Sequence, residues 1–204
     1  MSEAPRKYDS ASRQAAAART RVRICIAAEE LFVRDGYART SIRAVAKAAG
    51  VAEATVYVAF ADKGALLDAV IVRATRDNAS ESLAAIAAAP PHEILPRLAA
   101  SNALLMARAA ALIALGESAS LMDASLRPRR ERAHGNLRGA FRAIAERLEQ
   151  AGLLRTSAQQ AADTIYALAN ETTYLRSGLP PAEYAAWLTE TLTAVLLAAG
   201  RSRA

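Results

Sequence analysis

Cysteine occurs once in this chain, at Cys25, so no intrachain disulfide can form. Within a helical apolar pattern it reads as a small buried hydrophobe. Histidine occurs twice, at His92 and His134. Two isolated imidazoles and one thiol do not supply the clustered ligands of a metal site, so no metal is expected, and both histidines read as solvated. No stretch alternates apolar and polar residues between turn signals, which argues against strands. No run of eighteen apolar residues escapes interruption by Arg or Glu, so no membrane span is expected. No apolar leader follows the first charges, and a cytoplasmic location is expected. A glycine-rich phosphate loop, a Ser-His-Asp spacing and clustered carboxylates are all missing, so neither an enzyme nor a cofactor is expected.

What is present is alanine and leucine. Apolar residues make up 53% of the 204, while aromatics make up only 5%. Alanine and leucine are strong helix formers. The sixteen glycines and prolines cluster between long segments. The expected fold class is all-α. Charge is uneven: residues 1–50 carry a net +5 and residues 51–204 a net +1. A basic excess confined to one quarter of a chain is the footprint of a nucleic-acid or anionic-membrane partner, and ordinary soluble proteins show it too.

Along the chain, residues 1–12 are polar and aperiodic and read as a disordered arm. From about Gln14 to Asp35, Ile24, Ala27, Ala28, Leu31 and Phe32 share a helical face, and Gly36 ends that helix. Thr40 and Ser41 are helix-start residues, Ile42, Val45, Ala46 and Ala49 follow as an inner face, and Gly50 suits a tight turn. A third short helix runs from about Ala52 to Ala59 with Val56 and Phe60 inward. Asp62 reads as the N-cap of a long fourth helix carrying Leu66, Leu67, Val70 and Ile71. Ala87–Pro91 is a boundary. Beyond it the helical blocks are expected at 92–115, 118–125, 128–151, 157–177 and 181–199, punctuated by Gly116, Pro128, Gly152, Gly178 and Pro180-Pro181.

Two short helices joined through a glycine turn make a helix-turn-helix over 41–60. Neither is stable alone, so the first and fourth helices must brace them. The outward face of the third helix carries Glu53, Ala54, Thr55, Tyr57 and Val58, which are small or hydrogen-bonding residues of the kind a major groove admits. The hydroxyls of Thr40, Ser41, Thr55 and Tyr57 suit phosphate oxygens, as does Lys63.

Residues 19–71 resemble the N-terminal domain of TetR-type transcriptional regulators. The resemblance rests on Glu30-Leu31-Phe32, Asp35-Gly36-Tyr37, Thr40-Ser41-Ile42, Ala46-Lys47-Ala48-Ala49-Gly50-Val51, Thr55-Val56-Tyr57, Phe60, Lys63 and Leu66-Leu67. Three positions depart from it. Ala52 stands where Ser or Thr is usual, Ala59 where His or Tyr often precedes the phenylalanine, and Gly64 where an acid often follows the lysine. The resemblance implies that Thr40, Thr55, Tyr57 and Lys63 hold the DNA backbone, and that Arg43, Glu53 and Ala54 lie near base edges. Arg43 is then a guanine-reading candidate, with a solvated surface arginine as the alternative. The Tyr57 ring can pack inward while its hydroxyl points out. Arg6, Lys7 and Arg13 of the arm are candidates for the minor groove or backbone, against an inert tail.

The expected organisation is an arm (1–12), a TetR-type DNA-binding domain (13–79) and a C-terminal domain (80–204). The looser resemblance over the last part implies ligand binding and dimerisation. A twofold dimer is also what a near-palindromic DNA site requires. Interface candidates are Ile165, Leu168 and Thr172 in 157–177 and Trp187, Leu188, Thr191 and Val195 in 181–199; filling the monomer core is the competing role. Pocket candidates are Leu105, Met106, Ile113, Phe141, Tyr166, Asn170 and Tyr174, with the same competing role. The expected function is a ligand-responsive DNA-binding regulator, most readily a repressor, whose partners are operator DNA, a second copy of itself and a small molecule. A sequence-tolerant architectural DNA-binding protein is the alternative.

Overall fold

The computed structural model describes residues 8–78 and 81–198. It divides into two compact units, residues 1–73 and 74–204, with the division falling inside one helix.

The N-terminal unit is built on α1 (Tyr8–Asp35), α2 (Ile42–Ala49), α3 (Glu53–Ala59) and the start of α4 (Lys63–Asn78). The sequence face of α1 is the buried one: Ile24, Ala28 and Phe32 are closed to solvent, joined by Val45, Val56, Leu66 and Val70 from the other three helices. Side chains of this size contribute about 1.5–3 kcal/mol each on burial, which is what holds two helices of eight and seven residues in place. Residues 1–7, with Arg6 and Lys7, lie outside the described residues. Residues 8–12 are the first turn of α1 rather than part of an arm. Once the alanine run 15–18 is helical, adding turns toward the N-terminus is cheap compared with nucleation.

The second unit begins in α4 and continues through α5 (Leu83–Ala88), a 3₁₀ turn at Pro91–Glu93, α6 (Ile94–Met122), a second 3₁₀ turn at Ala124–Leu126, α7 (Arg127–Gln150), α8 (Ala158–Leu168), α9 (Glu171–Ser177) and α10 (Pro181–Leu196). Its core is Ile86, Ile94, Leu98, Ile144, Leu148, Ile165, Tyr184, Leu188 and Leu192, all at 0–1% exposure. Burial raises the Tyr184 phenol to about 12, and its hydroxyl donates to the Leu168 carbonyl at 3.3 Å. α6 is long and apolar enough to cross a membrane, but half of its most apolar window is buried, as in the core helix of a globular domain.

Three expected boundaries are corrected. Gly116 does not end a helix; it is buried inside the 29-residue α6, which absorbs the expected block 118–125 up to Met122. A glycine costs a helix about 1 kcal/mol, less than burying the alanines and leucines on either side returns. The block 157–177 is broken between α8 and α9, where Asn170 becomes an N-cap. The last helix ends at Leu196, because Leu197 enters an antiparallel bridge with Leu154. Residue 199 lies outside the described residues. α5 is an additional short helix with Ile86 buried in the core.

Candidate nucleic-acid interface

The α2–α3 corner is set by backbone. Gly50 takes φ 64° and closes α2, its N–H reaching the Ala46 and Lys47 carbonyls. Ser41 caps the other end of α2, accepting from the Ala44 N–H at 3.1 Å. α3 opens on Ala52 with no side-chain cap, as the sequence indicated. Asp62 does cap α4, accepting from the Ala65 N–H at 2.6 Å.

With Val56 and Phe60 turned inward, α3 presents Glu53, Ala54, Tyr57 and Val58 to solvent. Tyr57 is 51% exposed and Val58 90%. Thr55 is half-buried on the flank, while Ser41, Arg43 and Lys47 of α2 are exposed beside them. Val58 lies on the same outward face of α3 as the residues expected at the site. Its helical position, four residues after Ala54, is the signal for it. Lys47 is an addition, one turn after Arg43.

Two expected backbone contacts look different in the structure. Thr40 is 2% exposed, and its hydroxyl donates to the Gly36 carbonyl at 2.8 Å and the Leu31 carbonyl at 3.2 Å. It ties the α1–α2 loop and does not face a phosphate, because the left-handed Gly36 folds the loop over it. Lys63 is half-buried. Its Nζ donates to the Tyr37 carbonyl at 2.9 Å and the Thr40 carbonyl at 3.2 Å, and lies 4.2 Å from the Tyr37 ring centroid. One of its three N–H donors is left for a phosphate.

Sequence reasoning missed Arg21. Its guanidinium lies 4.0 Å over the Phe60 ring and donates to the Ala59 carbonyl, the last of α3. Its place one turn before Ile24, at the start of the buried face, is the only signal the sequence offers. Elsewhere in this unit Arg39 donates to the Asp35 carbonyl at 2.8 Å and closes α1. The Arg34 guanidinium beside Asp35 holds that carboxyl below its usual value. Burial raises the Cys25 thiol.

In the second unit the expected pocket residues do not form one set. Phe141, at 2% exposure, belongs to the core, and Met106 is 7% exposed. Leu105 and Ile113 are half-buried on α6. Tyr174 packs edge-on to Tyr184 at 4.9 Å. Asn170 is spent on the helix break: its Oδ1 accepts from the Thr173 N–H at 2.9 Å, and its Nδ2 donates to the Ala167 carbonyl at 2.7 Å. Asn102 donates to the Ala169 carbonyl at 3.1 Å; its Oδ1 is buried with no hydrogen-bond partner among the described residues.

Tyr166 leads to a group the sequence had not assembled. His134, expected to be solvated, places Nδ1 2.6 Å from the Tyr166 hydroxyl and Nε2 3.2 Å from a Glu117 carboxylate oxygen. Arg130 closes on the same carboxylate. A carboxylate can only accept, so Nε2 donates to Glu117, and in the neutral ring Nδ1 accepts from the Tyr166 hydroxyl. Desolvation, aided by Arg130 and Arg138, holds His134 below its usual value, against the opposing pull of Glu171. The four groups clasp α6, α7 and α8.

Of the expected interface residues, Ile165 and Leu188 are 0% exposed and belong to the monomer core. They sit on the inward half of each stripe. Leu168, Trp187 and Thr191 are half-buried, while Thr172 and Val195 are exposed.

Residues 24–70 match the family model described as bacterial regulatory proteins, tetR family. No curated protein matches the chain. Among solved structures, a Saccharomonospora viridis protein described as a transcriptional regulator, in complex with choline, is 19% identical with a TM-score of 0.72, covering 89% of this chain and 100% of that one. NalD, the secondary repressor of the MexAB-OprM multidrug efflux pump in Pseudomonas aeruginosa, is 22% identical with a TM-score of 0.67, covering 88% and 97%. A TetR-family transcriptional regulator from Rhodococcus sp. is 16% identical with a TM-score of 0.72, covering 88% and 99%.

Proposed function

We propose that this chain, whose residues 24–70 match the tetR family model, is a DNA-binding transcriptional regulator, a homodimeric repressor released from a near-palindromic operator by a small molecule. The observation that carries the reading is the outer face of α3. It is exposed, nearly free of charge, and held by a core that uses Val56 from the same seven residues and Phe60, the C-cap that follows them. Ala54 and Val58 offer apolar contact to a thymine methyl, and Arg43 offers a bidentate pair to guanine. Tyr57, Ser41 and the remaining Lys63 donor position the helix on phosphates. Lys47 adds charge beside them.

One such helix reads few bases, so a twofold copy is needed. Thr172, Leu175 and Val195, all exposed on α9 and α10, are the side chains we assign to that interface, with Trp187 and Thr191 at its edge. For the effector, the support is the shared fold with a choline-bound protein and the unmet Asn102 acceptor inside the helical unit. The clasp of Glu117, His134 and Tyr166 joins three helices of that unit, and a ligand that separates them shifts the conformational equilibrium. Release then requires only that the ligand bind the DNA-incompetent conformation more tightly. A regulator working this way acts in the cytoplasm.

The test is fluorescence-anisotropy binding to the duplex upstream of the protein's own gene, beside a scrambled duplex, at two salt concentrations. The upstream duplex should bind about a thousandfold more tightly. Equal affinities that fall together with salt are the outcome for an architectural DNA-binding protein and would replace this reading.

A further inference from the structure

We propose that α1 carries a self-association surface: its outward stripe of Val22, Ile26 and Val33 packs antiparallel, across a twofold axis, on the same stripe of a second copy of this chain. The contact is separate from the one assigned to α9 and α10, and it stands whether or not α3 reads DNA.

The stripe belongs to no core. α1 buries Ile24, Ala28, Leu31 and Phe32 on one side. At 3.6 residues per turn, Val22, Ile26 and Val33 fall within about 40° of one another on the other side. They are 48%, 43% and 58% exposed. A helix that covers a core with one face needs only one apolar stripe, and α1 has two. Beside the outward stripe lies an open groove, lined by Ile26, Glu29, Glu30, Val33 and Arg34 of α1 and by Arg73 of α4. Glu29, which borders the stripe, is joined to Arg73 in an ion pair. A second helix can therefore cover this surface without stranding that carboxylate.

The occupant is identified by charge. Along the far flank of the stripe stand Arg23 and Glu30, two turns apart and both exposed. Arg34, one turn after Glu30, is taken up by Asp35 through hydrogen bonds of 2.9 and 2.8 Å. In a parallel pair of α1 helices, this flank would meet the opposite flank of the copy, where Cys25 and Phe32 are turned into the core. An antiparallel pair joins like flanks and reverses their order, so Arg23 of each copy comes level with Glu30 of the other. The midpoint of Arg23 and Glu30 falls between residues 26 and 27, and that of Val22 and Val33 between 27 and 28. One axis, to within a residue, closes both the ion pairs and the apolar contact. Such self-complementarity is what a twofold contact requires. Three aliphatic side chains per copy make a contact smaller than the roughly 1,200 Å² at which stable interfaces begin. It acts between copies already held close, where the effective concentration is high.

The experiment is disulfide trapping in the full chain, with Cys25→Ala removing the native thiol. A cysteine introduced by Ile26→Cys lies about 3 Å along the helix from its copy across the axis, within reach of a disulfide. One introduced by Arg19→Cys is also exposed on α1, but stands about 24 Å from its copy and reports random collision. Under mild oxidation the Ile26→Cys chain should form covalent dimer at least about tenfold faster than the Arg19→Cys chain. Adding Arg23→Glu to the Ile26→Cys chain should slow trapping about tenfold, because two attractive pairs become repulsive, and adding Glu30→Arg as well should restore it. Far-ultraviolet circular dichroism checks that each variant keeps its helices. Equal rates for Ile26→Cys and Arg19→Cys overturn the self-contact and leave this face of α1 to a different chain. Fast trapping that ignores Arg23→Glu, or that Glu30→Arg fails to restore, overturns the antiparallel pairing.

Discussion

Gly50 and Gly116 are the same residue in two regions of one chain, and they do opposite things. Gly50 takes a positive φ and ends a helix of eight residues. Gly116 sits buried within a helix of 29. In the N-terminal unit α2 and α3 are so short that one punctuating residue outweighs them. In α6 the flanking alanines and leucines gain more by staying helical than one glycine loses by joining them. The N-terminal unit is therefore governed by single positions: a turn, a cap, a clamp. The C-terminal unit is governed by the sum of what it buries.

Substitutions can break or sharpen that contrast, and the largest effect is expected in the sum. Leu188→Ala removes a fully buried side chain and should cost about 2–5 kcal/mol in denaturant unfolding of the helical unit. Val195→Ala, on the same helix but 45% exposed, should stay within about 0.5 kcal/mol when measured on monomer. Equal losses would mean that the two sides of α10 are not core and surface.

Next comes a single position with two duties. Lys63→Ala removes the ammonium that ties the Tyr37 and Thr40 carbonyls. The expected cost is about 1–2 kcal/mol in stability, at the lower end because the side chain is partly solvated, together with weaker operator binding. Tyr57→Phe should weaken binding alone, since half of that ring is already in solvent. Unchanged operator affinity in both variants would refute their place at the DNA.

The His134 clasp tests whether one position also matters where burial dominates. Tyr166→Phe deletes the hydroxyl bonded to Nδ1 and should cost about 0.5–1.5 kcal/mol. The pH dependence has a definite sign. His134 titrates below its usual 6.5 in the folded state, so the unfolded chain binds its proton first. This contribution to stability is complete above pH 6.5 and is lost as pH falls from there through the lowered folded value. Denaturant midpoints at pH 7 and pH 5 should differ more in wild type than in His134→Phe; identical differences would remove the imidazole from the account.

The smallest effect should be a gain. Ala52 has the extended backbone of an N-cap (φ −69°, ψ 148°) and no side chain to serve as one. Ala52→Ser should stabilise the N-terminal unit by about 0.5–1 kcal/mol, read as a shift in its denaturant midpoint. A neutral or destabilising result would show that the start of α3 is held by its neighbours alone.

These contrasts also explain what could be read from the amino acids. The inward faces of α1 to α4 were legible because each is bounded by Gly36, Gly50 or Asp62 and keeps its period. The outward residues Glu53, Ala54 and Tyr57 followed from the same period. Thr40 did not, because whether a loop hydroxyl turns in or out is set by a fold of the loop that has no period. Arg21 and His134 stayed hidden because their partners, Ala59 and Glu117, lie 38 and 17 residues away. The α8–α9 break was invisible because Asn170 fits a helical period as well as it fits a cap. Ile165 and Leu188 were placed at an interface because a stripe of apolar residues looks the same whether a second copy or the chain's own core covers it.

The buried Cys25 has a use in measurement. It is the only thiol in the chain, it is 4% exposed on α1, and it lies in the N-terminal unit. A thiol reagent added under native conditions can therefore react only when that unit opens, so its labelling rate is a clock for one half of the molecule while the other half stays silent. Run with and without operator DNA, the clock reads how far binding slows the opening of the helices that hold the DNA, in the same chain and with no probe attached.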